Sequence, residues 1–333
     1  MASTPEVGIV IANHDNAAYV TDAIASVSTQ TMRNVRVIVV DDHSKDGSHE
    51  VINTTLNRLD DKRFHYIRLD RNRGQAGAIR AGLALLDTPI VSFLDSDDYW
   101  YDDFIQKHLA AHLNADFPVG LSYCDSHIVN ADAQLLAGTA WWFEHDADEP
   151  TARRIPAQLV PEIDPESGHA VFKTDTELVL HPQWSPSWAS NSMASMMFRR
   201  SFVDLVLTLP DEELRLYVDF FLSTLAALLT GTIAIPEALY AYRMHGENKH
   251  SNAVVLGGEY NSSKRRWEPI RDAILKQVFN VLHYQADALR SAFGDYRHEQ
   301  AVVLMRAALR NGHADRGGKS RNKLQELLRR TYS

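Results

Sequence analysis

SFLDSDDYW, residues 92–100, begins as an apolar strand and ends with Asp95, Asp97 and Asp98 crowded within four positions. Like charges that close repel and are costly to desolvate, so the strand must deliver them to a cation, to solvent or to hydrogen-bond donors. The same arrangement recurs upstream. VGIVIA at 7–12 is an apolar run followed by polar NHDN, and YVTDAIASVSTQ then sets Tyr19, Val20, Ile24 and Val27 at helical spacing. VRVIVVDDHSKDGS reads as a second strand ending at Asp41 and Asp42, with a helix over SHEVINTTLNRL. FHYIRLD is a third strand, RGQAGAIRAGLALLD a third helix, and PIVSFLDSDD the fourth strand. Apolar strands alternating with helices predict a parallel sheet covered on both faces. Its strand ends share one edge, where ligands of such sheets bind. That edge collects Asn13 and Asp15, Asp41 and Asp42, Asp70 to Asn72, and Asp95 to Asp98.

A chain of 333 residues that is 45% hydrophobic can bury a full core. Cys124 is the only cysteine, which excludes an internal disulfide and a multi-cysteine metal centre and fits a reducing compartment. Cytoplasm is the expected location. MASTPEVGIV carries no basic stretch ahead of a long apolar one, and the longest apolar run, FFLSTLAALL at 220–229, is too short to span a bilayer. The net charge of -9 is unevenly divided: residues 261–333 carry +8 and the first 260 residues -17.

Beyond about residue 120 the regular alternation stops. LSYCDSHIV and SMASMMFRR read as strands, PDEELRLYVDFFLSTLAALLTG as a helix, and the tail from 261 as mostly helical. Residues 138–190 are loop-rich and hold Trp141, Trp142, Trp184 and Trp188. His108 and His112 share a helical face without the intervening Glu of a zinc protease motif, and are expected on a solvated face. In the tail, Ile274, Val278, Val281, Leu282 and Leu289 make an apolar stripe. It either rests on anionic lipid, at the inner face of a membrane, or packs on the acidic body or a second subunit, the plainer reading.

Three chemistries compete for the acidic edge. A dinucleotide-binding domain needs G-x-G-x-x-G after the first strand, where NHDNAAY stands instead. A signalling receiver would end its first strand, not its second, in the acidic pair, and no Lys-Pro follows anywhere in the chain. The third is a nucleotide-sugar transferase. IVIANHDNAAYVTDAIASVSTQT, VIVVDDHSKDGS, NRGQAGAIRAGL and FLDSDD resemble, in order and spacing, the four N-terminal motifs of the family 2 glycosyltransferases with a GT-A fold, the last in the place of the D-x-D motif. The resemblance is specific over residues 7–103 and weaker to about 250, through SMASMMFRRS, YVDFFLSTLAALLTG and ALYAYRMHGENKHS.

The resemblance implies an α/β GT-A fold: a Rossmann-like, mostly parallel sheet covered by helices. Residues 1–255 would form the transferase domain, with a nucleotide-sugar half (1–120) and an acceptor half (121–255), and 256–333 a basic helical extension. It implies an inverting, metal-dependent enzyme that moves a sugar from a nucleoside diphosphate, UDP first among them, to a hydroxyl of a carbohydrate or lipid-linked acceptor in polysaccharide or glycoconjugate synthesis. No nucleic-acid partner is expected; a homo-oligomer is compatible. The alternative is a non-catalytic nucleotide-sugar or carbohydrate-binding relative.

Residue by residue, the resemblance makes Asp97 the direct ligand of Mn2+ or Mg2+, with Asp95 near the ribose or a metal-bound water and His245 a metal contact or a structural histidine. Asp42 is the uracil-side carboxylate; Ala12, Asn13, Asp15, Asn72, Arg73 and Ser96 complete the donor site. Asp219 is the general base, and Trp141 and Trp188 are acceptor-stacking candidates. The chain departs from the family's pattern at Val218, where Glu usually precedes the base, and at Ala12 and His14, where many members have a hydroxyl residue and Tyr.

Overall fold

The structure, a computed structural model, describes residues 5–114, 119–139, 162–163, 170–171, 178–184, 192–248, 256 and 267–312. The N-terminal part alternates strand and helix as its periodicity demands: β1 (Val7–Asn13), α1 (Val20–Ser28), β2 (Val35–Asp41), α2 (Ser48–Leu59), β3 (Phe64–Arg68), α3 (Gly74–Leu83) and β4 (Ile90–Asp95). After it come β5 (Tyr99–Trp100), α4 (Phe104–Asn114), β6 (Leu121–Asn130), β7 (Leu135–Ala137), the pair β8 (Glu162–Ile163) and β9 (Ala170–Val171), and β10 (Val179–His181). β11 (Met196–Arg199), α5 (Arg200–Val206), α6 (Val218–Leu229), β12 (Thr232–Met244), α7 (Trp267–Tyr284), α8 (Ala286–Phe293) and α9 (Asp295–Gly312) complete the order.

Among the described residues one sheet runs β10-β12-β6-β11-β4-β1-β2-β3, with β5 on β12 and β7 on β6. The four N-terminal strands are parallel, β11 is antiparallel to both its neighbours, and β6 and β12 are again parallel. Register brings the strand ends together: Ala12 lies opposite Asp95, Asn13 opposite Asp41, and Asp41 opposite Arg68.

Side chains alternate across a strand, so even a continuous apolar run supplies two cores. Val7, Ile9 and Ile11 pack with α1 and with Trp100, whose ring stacks on Phe104 at 4.1 Å. Val10, Ile38, Val40 and Phe93 pack with α3, α5 and α6 on the other face. Each such fully buried aliphatic or aromatic side chain contributes about 1.5–3 kcal/mol. α6 is buried along most of its length, and α7 and α9 cover it. Ile274, Val278, Val281, Leu282 and Leu289 are all within 4% of full burial in that core. The stripe expected on lipid or on the body therefore packs on the body. Among the described residues no helix is long and apolar enough to cross a membrane.

Two sequence expectations need correction. His108 and His112 are buried rather than solvated: α4 turns that face onto the sheet, where His108 Nδ1 meets Ser122 Oγ at 2.8 Å and His112 Nε2 donates to the Met197 carbonyl at 3.1 Å. Burial pushes His112 down to about 4 and His108 well below its usual value. Trp184, one of the four tryptophans of the loop-rich segment, is a core residue. The helix read from Pro210 begins only at Val218, because residues 211–217 turn and Tyr217 takes a left-handed φ of 63°.

Candidate active site at the strand edge

The loop after β1 is built from short polar side chains that bond across strands. Asn13 Nδ2 donates to Ser44 Oγ (3.1 Å), and the same hydroxyl accepts the Asp15 N–H (3.0 Å). Asp15 takes a left-handed φ of 55°, and its Oδ1 accepts the Lys45 N–H at 2.7 Å. Asp46 receives the N–H and hydroxyl of Ser48, starting α2, and the Ala17 N–H at 2.7 Å, which ties the first loop to the second. Two polar atoms in this corner are buried without a hydrogen-bond partner: Asn13 Oδ1 and His14 Nδ1. His14 Nε2 accepts from Asn72 Nδ2 at 2.8 Å, so in the neutral ring Nδ1 carries the proton. An acceptor and a donor thus stand unsatisfied on consecutive residues.

Asp42 holds the start of α3. Its oxygens accept the N–H groups of Arg73 (2.6 Å) and Gly74 (2.8 Å), the orphan donors that a helix leaves at its N-terminus. Burial still raises its pKa over those two bonds. From the same helix start Gln75 Nε2 donates to Asp95 Oδ1 at 2.9 Å. Ser96 is buried; its N–H bonds the Ala12 carbonyl (3.2 Å) and its Oγ accepts from Asn16 Nδ2 (3.0 Å).

The three carboxylates of the opening stretch have different surroundings. Asp95 meets Gln75, Asp97 Oδ2 lies 3.1 Å from His245 Nε2, and Asp98 is buried and accepts the Arg243 N–H at 2.9 Å. Burial, with the charges of Asp97 and Asp95 beside it, raises the Asp98 carboxyl well above its ordinary value. Arg243 is 2% exposed. Its Nε donates to the Asp97 carbonyl (2.9 Å), Nη1 to the Ala131 carbonyl (2.8 Å) and Nη2 to Asp22 Oδ2 (2.7 Å). The guanidinium lies between the rings of Tyr19 and Tyr99, at 4.8 and 5.3 Å, and the His245 ring stands 4.8 Å from Tyr19. Hydrogen bonds to carbonyls and ring faces together make this arginine the anchor of the acidic turn.

Asp219 sits in the first turn of α6, where its Oδ1 accepts the Phe220 N–H at 2.8 Å and burial pushes its pKa up to about 6. The run leading into it is clasped to α3. Gln75 N–H donates to the Arg215 carbonyl (2.8 Å), Arg215 Nη2 bonds Asn72 Oδ1, and Asp211 bridges Arg73 Nε (2.7 Å) and Arg80. The clasp needs two glycines: a Cβ at Gly74, whose φ is 77°, would meet the Arg215 carbonyl oxygen at 2.8 Å, and one at Gly77 would meet Asp211 Oδ2 at 3.1 Å. Burial alone would raise Asp211, yet hydrogen bonds from Arg80 and Arg73 hold it below the usual carboxylate range. A depressed carboxylate contributes stability that is present above its unfolded pKa and lost as pH falls through its folded one. Asp211→Asn is therefore expected to cost about 1–2 kcal/mol at pH 7, discounted for partial exposure, and less at pH 3, the cost shrinking as pH falls through the lowered folded pKa. Urea titrations at both pH values check this.

The structure brings Ala12, Asn13, Asp15, Asp42, Asn72, Arg73, Asp95, Ser96, Asp97 and His245 to one sheet edge, with the Arg73 guanidinium engaged by Asp211. Trp141 and Trp188 lie outside the described residues. Among the described residues no three His, Cys, Asp or Glu side chains converge as a ready metal cluster. Gln75, Asp211 and Arg215 were not anticipated and carry no local signal. Arg243 does carry one, a charge inside the apolar run ALYAYRM, since buried arginines must be paired.

The family profile described as Glycosyl transferase family 2 matches residues 8–143, the segment that holds all four N-terminal strand ends. An uncharacterized glycosyltransferase of Nostoc is 24% identical over 260 residues, 78% of this chain and 71% of that protein. A UDP-Glc:alpha-D-GlcNAc-diphosphoundecaprenol beta-1,3-glucosyltransferase of Escherichia coli is 30% identical over 122 residues, 37% of this chain and 46% of that one, so here the chain spans under half the relative's length. Among solved structures, S. aureus TarS 1–349 in complex with UDP-GlcNAc superposes with a TM-score of 0.55 at 14% identity, covering 92% of this chain and 72% of that one. The mannosyltransferase PcManGT from Pyrobaculum calidifontis, in complex with GDP-Man and Mn2+, gives 0.50 at 13% identity, covering 100% and 82%. At these identities the structural likeness is one of fold. With that fold, and with the family profile lying across the strand edge just described, residues 8–143 match glycosyl transferase family 2, and the relatives named glycosyltransferases support a transferase enzyme.

Proposed function

We propose that the enzyme moves a sugar from a nucleoside diphosphate, UDP in the first instance, to a hydroxyl of a carbohydrate or lipid-linked acceptor, with inversion at the anomeric carbon. The observation that carries this reading is one clasped unit. The α3 start that touches Asp95 also holds the run into Asp219, a carboxylate with a pKa of about 6. Such a group is ionised at neutral pH yet basic enough to take a proton.

The residues fit a divalent cation. Asp97 and Asp95 would hold it, with His245 at hand 3.1 Å from Asp97; among the described residues no three such side chains converge as a ready cluster, so donor phosphates would complete the shell. When bound, Mn2+ or Mg2+ supplies positive charge to the departing diphosphate. Asp219 takes the acceptor hydroxyl's proton as its oxygen bonds the anomeric carbon and the bond from that carbon to the phosphate oxygen breaks. No second carboxylate is assigned as a nucleophile, so displacement is direct and an α-linked donor gives a β-linked product. The unsatisfied Asn13 Oδ1 acceptor and His14 Nδ1 donor suit the alternating edge of a pyrimidine such as uracil, beside Asp42. Arg73, Asn72, Asp15, Ala12 and Ser96 shape the donor pocket around them.

The glucosyltransferase relative is named for a diphosphoundecaprenol acceptor, and residues 261–333 of this chain carry +8. Both support an acceptor met at a membrane surface, with the enzyme peripheral at the inner face. A panel of nucleotide sugars tested for thermal stabilisation checks the donor assignment, because a ligand that binds only the folded state raises Tm. A uridine-linked sugar is expected to raise it with Mn2+ present and to fail after chelation. Stabilisation by GDP- but not UDP-linked sugars would overturn the base assignment.

A further inference from the structure

We propose that the cleft between α7, α8 and α9 is a binding site for the head of an anionic phospholipid. The inference deepens the membrane-surface reading given above and rests on it, but requires none of the transfer chemistry. The cleft has a volume of about 360 Å³, within the range of small-ligand sites. Phe279, Leu282, Ala286 and Val302 line it with apolar surface, while Arg290 and Arg306 bring two positive charges against the single acid Glu299. The Arg306 guanidinium lies over the Phe279 ring at 5.7 Å. Arg290 has Asp295 only at 3.9 Å, between two exposed side chains. An apolar floor beneath a net positive rim suits an amphiphile with a phosphate head better than a free phosphate.

A second observation points to a ligand. His298 lines the cleft and is 3% exposed; its Nε2 donates to the Leu282 carbonyl at 2.8 Å, while its Nδ1 is buried with no partner. An unpaired buried nitrogen is costly, and a head-group hydroxyl satisfies it. Phosphatidylglycerol carries both the phosphate and such hydroxyls.

The surface around the cleft has the same character. The outer face of α9 presents Tyr296, Glu299, Val303, Arg306 and Arg310 as one helical stripe, and Tyr284 closes α7 beside it. Tyr284 is 78%, Tyr296 64% and Val303 45% exposed. Exposed tyrosines and an aliphatic group among arginines are what seats a helix at head-group depth. α7 and α9 pack on α6, the helix whose first turn holds Asp219. A surface docked through α7 to α9 would therefore lie one helix layer from the base.

The test is co-sedimentation of the full chain with vesicles of phosphatidylglycerol mixed into phosphatidylcholine, or of phosphatidylcholine alone. Binding is expected to be at least about tenfold stronger to the anionic vesicles and to weaken with salt. Val302→Trp fills the cleft without changing its charge, and Ala286→Leu fills it from another wall; each is expected to reduce that binding about tenfold, as is Arg290→Glu combined with Arg306→Glu. All are expected to keep the nucleotide-sugar thermal shift, so a failed lipid site and a failed transferase assignment read differently. The proposal is overturned if the vesicles show no preference, or if both filling variants bind as wild type while only the arginine variant loses binding. It is also overturned if soluble glycerol phosphate competes as well as the lipid, or if light scattering shows the filling variants dissociating a dimer.

Discussion

Asp219→Asn is expected to lower turnover about 10²-fold or more while leaving donor binding nearly unchanged, the signature of a lost general base. The same substitution should make the protein more stable at neutral pH. Burial lifts the carboxyl to about 6 from an unperturbed 3.8, so the ionised form is disfavoured in the folded state. A group raised on folding contributes stability that is fully present below its unfolded pKa and lost as pH rises through the folded one. The Asp219 carboxyl therefore costs the wild type stability between pH 4 and pH 7, a contribution that the amide variant, with no titrating group at this position, lacks. A shift of this size corresponds to about 3 kcal/mol at most, and the partial exposure of Asp219 reduces it to roughly 1–2 kcal/mol. Urea unfolding of both proteins should show the variant ahead at pH 7.5 and the difference vanishing near pH 4. For the wild type, kcat/KM is expected to fall on the acid side with a midpoint near 6. Wild-type turnover by the variant, or a product that retains the donor's anomeric configuration, would show that the base or the mechanism is misassigned.

Arg243→Met should cost about 3–5 kcal/mol of folding stability and abolish activity with it. The substitution strips partners from the Asp97 and Ala131 carbonyls and from Asp22, and removes the cation between Tyr19 and Tyr99. It also leaves buried Asp98 without the charge that opposes Asp97 and Asp95. Arg243→Lys keeps one charge but not the planar fork that reaches three acceptors at once, so about 2 kcal/mol is still lost. Chemical denaturation reads both values. A methionine variant within about 1 kcal/mol of wild type would mean that the acidic turn is held by other contacts.

Much of the candidate site was legible in the sequence because its N-terminal part is local. Each strand of residues 7–95 is followed within a few positions by the polar residues it delivers, and parallel register alone aligns Ala12 with Asp95 and Asn13 with Asp41. What periodicity could not show is which neighbour covers a face. The i, i+4 spacing of His108 and His112 is the same whether α4 turns that face to water or to β6 and β11, and it turns it to the sheet. Pairings between distant segments were equally hidden. Asp211 meets Arg73 across 138 positions and Arg243 meets Asp22 across 221. Gln75 reads as one helical residue among many until the fold sets it against Asp95. The left-handed Tyr217 is a further case, since a bulky residue in that conformation is held by its surroundings rather than by its own preference.

The most direct measurement is release of free nucleoside diphosphate from the uridine-linked sugars, with Mn2+, after exhaustive chelation, and by Asp97→Asn. Release is predicted with the metal, to stop on chelation, to return when Mn2+ is restored, and to be lost in a folded Asp97→Asn protein. Full release after chelation, or no release from any donor that the protein demonstrably binds, would contradict a metal-dependent nucleotide-sugar transferase and favour a binding protein on the same fold.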